Sequence, residues 1–253
     1  MIFRRFYDSS LAQASYMIGC EASGAAIVID PNMNVEQYIR AARDERLTIV
    51  AVTETHIHAD FASGTRALAA ATGAITYVSA EGGSDWQYAF AHEPGVSLLH
   101  DGDQIAVGMV HLDVRHTPGH TPEHVTFVVT DTARSEAPVG AITGDFIFVG
   151  DVGRPDLLER AAGVAGSMRS AAASLYASIQ DFRTLPDFLQ LWPGHGAGSA
   201  CGKSMSSASQ STLGYERVAN WAFAPMSETE FVERVLEGQP AAPPYGGAMK
   251  SRN

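Results

Sequence analysis

Lysine and cysteine are nearly missing from this 253-residue chain, with two of each: Lys203 and Lys250, Cys20 and Cys201. Two thiols cannot build a disulfide framework or a cysteine-lined zinc site, and such sparing use of cysteine fits a reducing cytoplasm. Basic charge is short as well. The 17 Lys and Arg against 28 Asp and Glu leave a formal charge of −11, which excludes the basic footprint of a general nucleic-acid binder. No apolar run comes near the ~20 residues of a membrane-spanning helix. The N-terminus, Met1-Ile2-Phe3-Arg4-Arg5-Phe6-Tyr7-Asp8, lacks the apolar core of a secretory signal, so neither export nor membrane insertion is expected. Low-complexity tracts and short tandem repeats are absent too. What remains is a globular composition, 45% hydrophobic and 18% charged, and one surplus of nine histidines, the commonest metal-ligating side chain.

Hydrophobic patterning gives a strand-rich chain with helices at intervals. Residues 2–7, 14–20 and 25–30 read as strands, broken by turn residues. Asn34 is the expected N-cap of a helix, with Gln37 as its capping-box partner and Val35, Tyr38, Ile39 and Ala42 along one face. A buried strand (47–53), a loop and a helix over 62–72 ending at Gly73 follow. Strands are expected at 75–78, 97–100, 105–107, 111–115, 125–129 and 141–149, then a helix over 168–182, a strand over 188–192, and a helix opened by the capping box Ser227/Glu230. This order predicts two mixed sheets with helices outside, one domain over residues 1–238. Residues 239–253, opening with the Pro-rich run from Gln239 to Tyr245, read as a linker or surface arm.

Six of the nine histidines fall in three short segments. His56 and His58, with Asp60 two further on, follow the strand 47–53 directly. His116, His120 and His124 lie in a turn stiffened by two Thr-Pro pairs and Gly119. His195 sits in Pro193-Gly194-His195-Gly196 after another strand. Asp145, in Thr143-Gly144-Asp145, adds a carboxylate in a strand-like run. A single loop histidine is usually a surface or capping residue. Four segments at strand ends, all carrying metal-type ligands, point instead to a metal site. His92, His100 and His111 have no such context, and the roles of His116 and His124 stay open.

In this order and spacing, HxHxD, GHT, GD and GH resemble the metallo-β-lactamase superfamily, over residues 2–240. The resemblance implies an α+β fold, an αββα sandwich with metals held by loops along one edge of its two sheets. In that superfamily the first motif usually reads HxHxDH and serves two metals. Here Phe61 stands where the third histidine would be, and a phenyl ring cannot ligate, so one metal is implied. A narrower likeness rests on THIHADFxSG, HTPGHTPEH, TGDxxFVGDVGRPDL and PGHGAGSxCGK. These segments resemble persulfide dioxygenases, especially those fused to a rhodanese domain. That family implies one Fe(II) per chain held by His56, His120 and Asp145, a facial set that leaves positions open for a sulfur and for O2. His58, Asp60 and His195 would surround and orient these ligands; His58 as a ligand is the alternative. The implied reaction oxidises glutathione persulfide with O2 to sulfite and free thiol. A homodimer is implied as well, and a rhodanese partner that is either separate or a fused domain outside this chain.

Glutathione persulfide carries carboxylates, so cations are sought near the site. Arg154 matches in position a basic residue that glyoxalase II-type enzymes use for glutathione; the competing reading is an Arg154–Asp156 ion pair. Lys203, in the loop after His195, and Tyr215 and Arg217, on a predicted helix, are further candidates for substrate contact. Cys201 reads as a small thiol rather than a nucleophile. The alternative function is thioester hydrolysis of the glyoxalase II kind with a metal-activated water, against which Phe61 argues. A non-catalytic scaffold would require a lost ligand, and none of His56, His120 or Asp145 is lost.

Overall fold

The computed structural model describes residues 1–84, 86–157, 159, 166–241 and 246–253. Twelve strands form two six-stranded sheets. The first comprises β1 (Ile2–Asp8), β2 (Gln13–Cys20), β3 (Ala25–Ile29), β4 (Thr48–Thr53), β5 (Ile75–Ser79) and β6 (Val96–Leu99), ordered as in the chain. Its first three strands pair antiparallel; β3 to β6 are parallel, joined by α1 (Val35–Asp44) and α2 (Thr65–Thr72). The second comprises β7 (Gln104–Val107), β8 (Val110–His116), β9 (Val125–Asp131), β10 (Gly140–Gly144), β11 (Gln190–Pro193) and β12 (Ser211–Thr212). It is an antiparallel meander up to β10, after which α3 (Ser167–Phe182) crosses over to the parallel strand β11. The chain ends with α4 (Leu213–Ala219), a 3-10 turn (Trp221–Phe223), α5 (Glu228–Leu236) and α6 (Gly246–Lys250).

Three apolar layers hold these parts together. Tyr16, Ile18, Ile27 and Ile29 meet Val110, Leu112, Val114, Phe127 and Trp192 between the sheets. Tyr38, Ala42 and Leu68 cover the outer face of the first sheet, against Met17, Val28 and Val52. Leu175, Ile179, Phe231 and Val235 cover that of the second, against Val128, Ala141 and Leu191. Because strand side chains alternate, β8 alternates buried and half-buried positions from Val110 to Val114, whereas β2, covered on both faces, is buried throughout. The result is the expected α+β, αββα sandwich, a metallo-β-lactamase fold. No helix among the described residues is long and apolar enough to cross a membrane.

Three local expectations are corrected. Asn34 occupies the N-cap position of α1 but makes no side-chain cap bond. Asn32 takes that role: its Oδ1 accepts from Asn34 N at 3.1 Å and from Gln37 Nε2 at 2.9 Å. The strand expected over 141–149 stops at Gly144, whose left-handed φ of 50° turns the chain, and Asp145 therefore lies in a turn. The segment expected as a linker or arm carries α6 and folds back, with Gly246 and Asn253 buried; Ala242 to Tyr245 of that segment lie outside the described residues. The Ser227/Glu230 capping box is formed as expected.

Candidate metal centre

Parallel and antiparallel ladders end on the same edge of the two sheets, and the histidine segments leave from there. His56 follows β4, His120 follows β8, Asp145 follows β10 and His195 follows β11. The structure brings His56, His120 and Asp145 together with ligand atoms within 4.8 Å of one another, all buried. Asp145 reaches this point because Gly144 lets β10 run close to the first loop. A Cβ there would lie 2.5 Å from Thr55 Oγ1 and 2.8 Å from His124 Nε2.

Hydrogen bonds set both imidazoles in the same tautomer. His120 Nδ1 donates to the Arg154 carbonyl at 3.0 Å, which leaves a lone pair on Nε2. Thr55 Oγ1 donates to Asp30 Oδ2 at 2.9 Å and thus accepts from His56 Nδ1 at 3.0 Å; again Nε2 is left bare. Burial lowers the pKa of both histidines, that of His56 well below the usual value, so both stay neutral. Asp145 Oδ2 lies 3.4 Å from His120 Nε2 and 4.0 Å from His56 Nε2, is buried and has no hydrogen-bond partner. An unpaired buried carboxylate oxygen is costly, and facing two imidazole lone pairs it fits a bound cation. Its backbone is held too: Asp145 N donates to His124 Nε2 at 3.1 Å, and His124 Nδ1 donates to Thr117 Oγ1 at 2.9 Å.

The remaining predicted residues surround this set. His195 Nδ1 donates to Asp145 Oδ1 at 2.7 Å and its Nε2 to Asp60 Oδ2 at 2.8 Å. Burial disfavours charge on this ring, yet the carboxylates Asp145 and Asp60 prevail and hold its pKa well above the usual value. In return His195 keeps Asp145 ionised against its burial. His58 turns its Nε2 to Asp30 Oδ1 at 3.1 Å, while its Nδ1 is buried without a hydrogen-bond partner. Burial opposes its charge, but Asp30, Glu54 and Asp60 raise its pKa to about 9. Phe61 packs on His58 with ring centroids 4.4 Å apart and the rings tilted by 35°, and is buried. A second group, Asp60, His195 and Cys201, also converges, with both His195 nitrogens occupied by carboxylates.

Of the four side chains considered for substrate contact, Arg154 forms the competing ion pair with Asp156, and Lys203, Arg217 and Tyr215 lie on other partners. Arg154 is fully buried: its Nε and Nη2 bind the two oxygens of Asp156 at 2.7 and 2.8 Å, and its Nη1 binds the Ala200 carbonyl. The ion pair fixes the loop whose carbonyl orients His120. Lys203 Nζ donates to the carbonyls of Arg234 and Glu237 at 2.5 and 2.6 Å, capping the C-terminal end of α5 where orphan carbonyls need donors. Arg217 is bound to Asp187 and to the carbonyls of Arg183 and Leu185. Tyr215 lines an open surface groove with Phe188, Gln190 and Thr212, apart from the metal cluster.

Sequence reading missed two residues at the centre and left a third open. Asp30, buried at the end of β3 with φ 53°, accepts from Thr55 N at 2.7 Å as well as from the two groups above. A non-glycine residue at positive φ marks a constrained site, but the Asp-Pro pair reads only as a turn in sequence. Glu123 accepts from Ile57 N at 2.7 Å, and burial pushes its carboxyl up to about 7. His124 was undecided until its two bonds placed it behind Asp145. Over the ligands lies a cavity walled by Ala59, Asp60, His120, Leu157, Ala200, Cys201 and Gly246.

A family model for the metallo-β-lactamase superfamily matches residues 10–195. The mitochondrial persulfide dioxygenase ETHE1 of Bos taurus is 28% identical over 77% of this chain and 68% of its own length. A beta-lactamase hydrolase-like protein of Xylella fastidiosa is 28% identical over 90% of the chain, which spans 53% of that protein, about half its length. Among solved structures, a metallo-beta-lactamase from Staphylococcus aureus superposes with a TM-score of 0.89 at 45% identity, covering 98% of this chain and 71% of its own. ETHE1 from Myxococcus xanthus does so with 0.77 at 26% identity, covering 99% of each chain. From its four edge loops, its two sheets and the match over residues 10–195, this chain belongs to the metallo-β-lactamase superfamily.

Proposed function

We propose that this chain is a non-haem Fe(II) dioxygenase that oxidises a low-molecular-weight persulfide, such as glutathione persulfide, with O2. The balanced reaction is R–S–SH + O2 + H2O → R–SH + H2SO3, with the terminal sulfur oxidised and O2 reduced. The observation that carries this reading is a two-histidine, one-carboxylate set, His56, His120 and Asp145, beside a phenylalanine where two-metal relatives place a histidine. Iron held by such a set supplies open positions for a sulfur and for O2. Likeness to the bovine persulfide dioxygenase supports the substrate class.

The chain's own residues contribute geometry and charge. Thr55 and the Arg154 carbonyl hold the imidazole lone pairs inward. His195 keeps Asp145 ionised and anchors its second oxygen. Ala59, Leu157 and Ala200 give the cavity an apolar wall that keeps it poor in water. Hydrolysis is the second reading, with a thioester as the substrate weighed; likeness to the Xylella hydrolase-like protein supports hydrolysis in general and not the thioester, and it calls for a metal-activated water rather than paired sulfur and O2 sites.

The test is metal analysis together with oxygen uptake. Protein reconstituted anaerobically is expected to hold one iron per chain and to consume O2 with glutathione persulfide, releasing sulfite. Two zinc ions per chain, no O2 uptake and turnover of S-lactoylglutathione would overturn the proposal in favour of the hydrolase.

A further inference from the structure

We propose that Gly246–Asn253 is an access strap that determines which thiol carriers reach the metal centre. Three observations converge on it. Gly246 is buried and forms one wall of the cavity above the ligands, opposite Asp60, His120 and Cys201. The space left there is about 10 Å³, room for roughly one water molecule and far too small for a persulfide of glutathione size. The far end of the strap is latched to the first metal loop. Asn253 Nδ2 donates to the carbonyls of His58 at 2.8 Å and Phe61 at 2.9 Å, and Asn253 Oδ1 accepts from Ser63 N at 3.1 Å.

Asn253 is only 5% exposed, so these bonds are shielded from competing water. They use the backbone of His58 inside the HxHxD motif and of Phe61 and Ser63 just after it, so the closure is made on the metal loop itself. Between latch and cavity, Lys250 Nζ lies 3.7 Å from the centre of the Trp86 ring, a cation–π contact to the segment that packs on Ile57. The strap is thus clasped at Lys250 and Asn253, while Gly246 at its other end walls the cavity. Among the described residues it is this segment that a bulky carrier must displace, by release of Asn253, whereas O2 needs no such opening. The substrate named here rests on the dioxygenase reading, but the closure does not.

The test therefore avoids turnover and uses Cys201 as the reporter, because that thiol is buried and lines the cavity beneath Gly246. The full chain carrying Cys20→Ser is compared with the same chain carrying Asn253→Ala as well, both at one pH. Losing three shielded hydrogen bonds is expected to speed alkylation of Cys201 by N-ethylmaleimide about tenfold or more, and to speed amide exchange at Ser63 with it. Exchange in Val110–His116 serves as the control and stays unchanged. Alkylation within twofold of the parent overturns the proposal. Should Asn253→Ala loosen the control strand too, Lys250→Ala releases the other clasp and is read in the same way; no acceleration there overturns it equally. Faster alkylation in a protein that shows no O2 uptake with any persulfide would keep the strap and remove only the dioxygenase reading.

Discussion

Replacing Asp30 by asparagine keeps the shape of the side chain and changes which atom carries hydrogen. Asp30 Oδ1 accepts from Thr55 N at 2.7 Å and from His58 Nε2 at 3.1 Å, so an asparagine must place its oxygen on that side. Its NH2 then faces Thr55 Oγ1, where Asp30 Oδ2 now accepts at 2.9 Å. The threonine hydroxyl, turned into an acceptor there, points its own hydrogen at His56 Nδ1, 3.0 Å away. That favours the imidazole tautomer protonated on Nε2, which has no lone pair left to offer a metal. The logic is that of the carboxylate behind a catalytic histidine, where the isosteric amide yields the wrong tautomer. Altering an outer partner of this kind costs ~10–100-fold in metal affinity, or about 1.4–2.8 kcal/mol. The fold itself loses only ~1–3 kcal/mol from the weakened bond to buried His58. Chelator-competition titration of the metal-free protein measures the first quantity, urea unfolding the second, and 15N NMR of the imidazoles reads the tautomer directly. A dissociation constant within twofold of the parent, with His56 still protonated on Nδ1, would refute the relay.

Other substitutions test the surrounding assignments. Arg154→Ala removes both buried bonds to the Asp156 carboxylate and the bond to the Ala200 carbonyl and is expected to cost ~1–3 kcal/mol in urea unfolding; a loss under about 0.5 kcal/mol would mean that the pair does not hold its loop. Phe61→His should raise the zinc bound by reconstituted protein from one equivalent toward two, measured by elemental analysis, and a stoichiometry that stays at one would show that more than the missing imidazole prevents a second site. Glu123, whose carboxyl burial raises from 4.5 to about 7, binds more protons folded than unfolded between those values. Its contribution is complete below pH 4.5 and is lost as pH rises through 7, about 3 kcal/mol for that shift. Glu123→Gln should flatten the stability–pH profile of the metal-free protein across pH 4.5–7, and an unchanged slope would contradict a raised carboxyl pKa.

Much of this was legible in the sequence, and the division has a physical basis. Strands 2–7 and 14–20 announced themselves by β-branched and aromatic runs, and the histidine segments by lying at strand ends. Asp145 was found as a ligand candidate, but not its turn, because the apolar residues Ala141, Ile142 and Phe146 to Val149 on either side of Thr143-Gly144-Asp145 read as one strand. Pairings made far along the chain stayed hidden. Asp30 and His58 are 28 residues apart and His120 and Arg154 are 34 apart; the first pair meets only once β3 and β4 lie side by side in one sheet, and the second only once β8, β9 and β10 have assembled in the other. Charge type was misleading for Lys203 and Arg217, which looked available for an anionic substrate and are spent on orphan carbonyls and a carboxylate. For Arg154 the ion pair with Asp156, the competing reading of the sequence, is the one the structure forms. Folding took its share of a cation supply that was scarce from the start.

Phe61 does more than remove a ligand. In a two-metal relative the second ion draws on the Asp60, His195 and shared Asp145 positions, and its double charge balances those carboxylates. Here a protonated His195 stands between Asp60 and Asp145, 2.8 and 2.7 Å from each, and balances part of the same negative charge with a proton. An imidazolium has no lone pair, so this arrangement and a second ion compete for one place. The phenyl ring, packed against His58 and buried, keeps the vicinity poor in water; the proton on His195 is held there by Asp60 and Asp145. Asp145 is left with one oxygen tied to His195 and the other unpaired, facing His56 and His120. A single cation can claim that second oxygen without disturbing the first. On the proposed one-metal reading, the stoichiometry follows from where a proton is held as much as from which histidine is missing, and Phe61→His alone should prove a weaker route to two metals than Phe61→His in a background that loosens the His195–Asp60 pair.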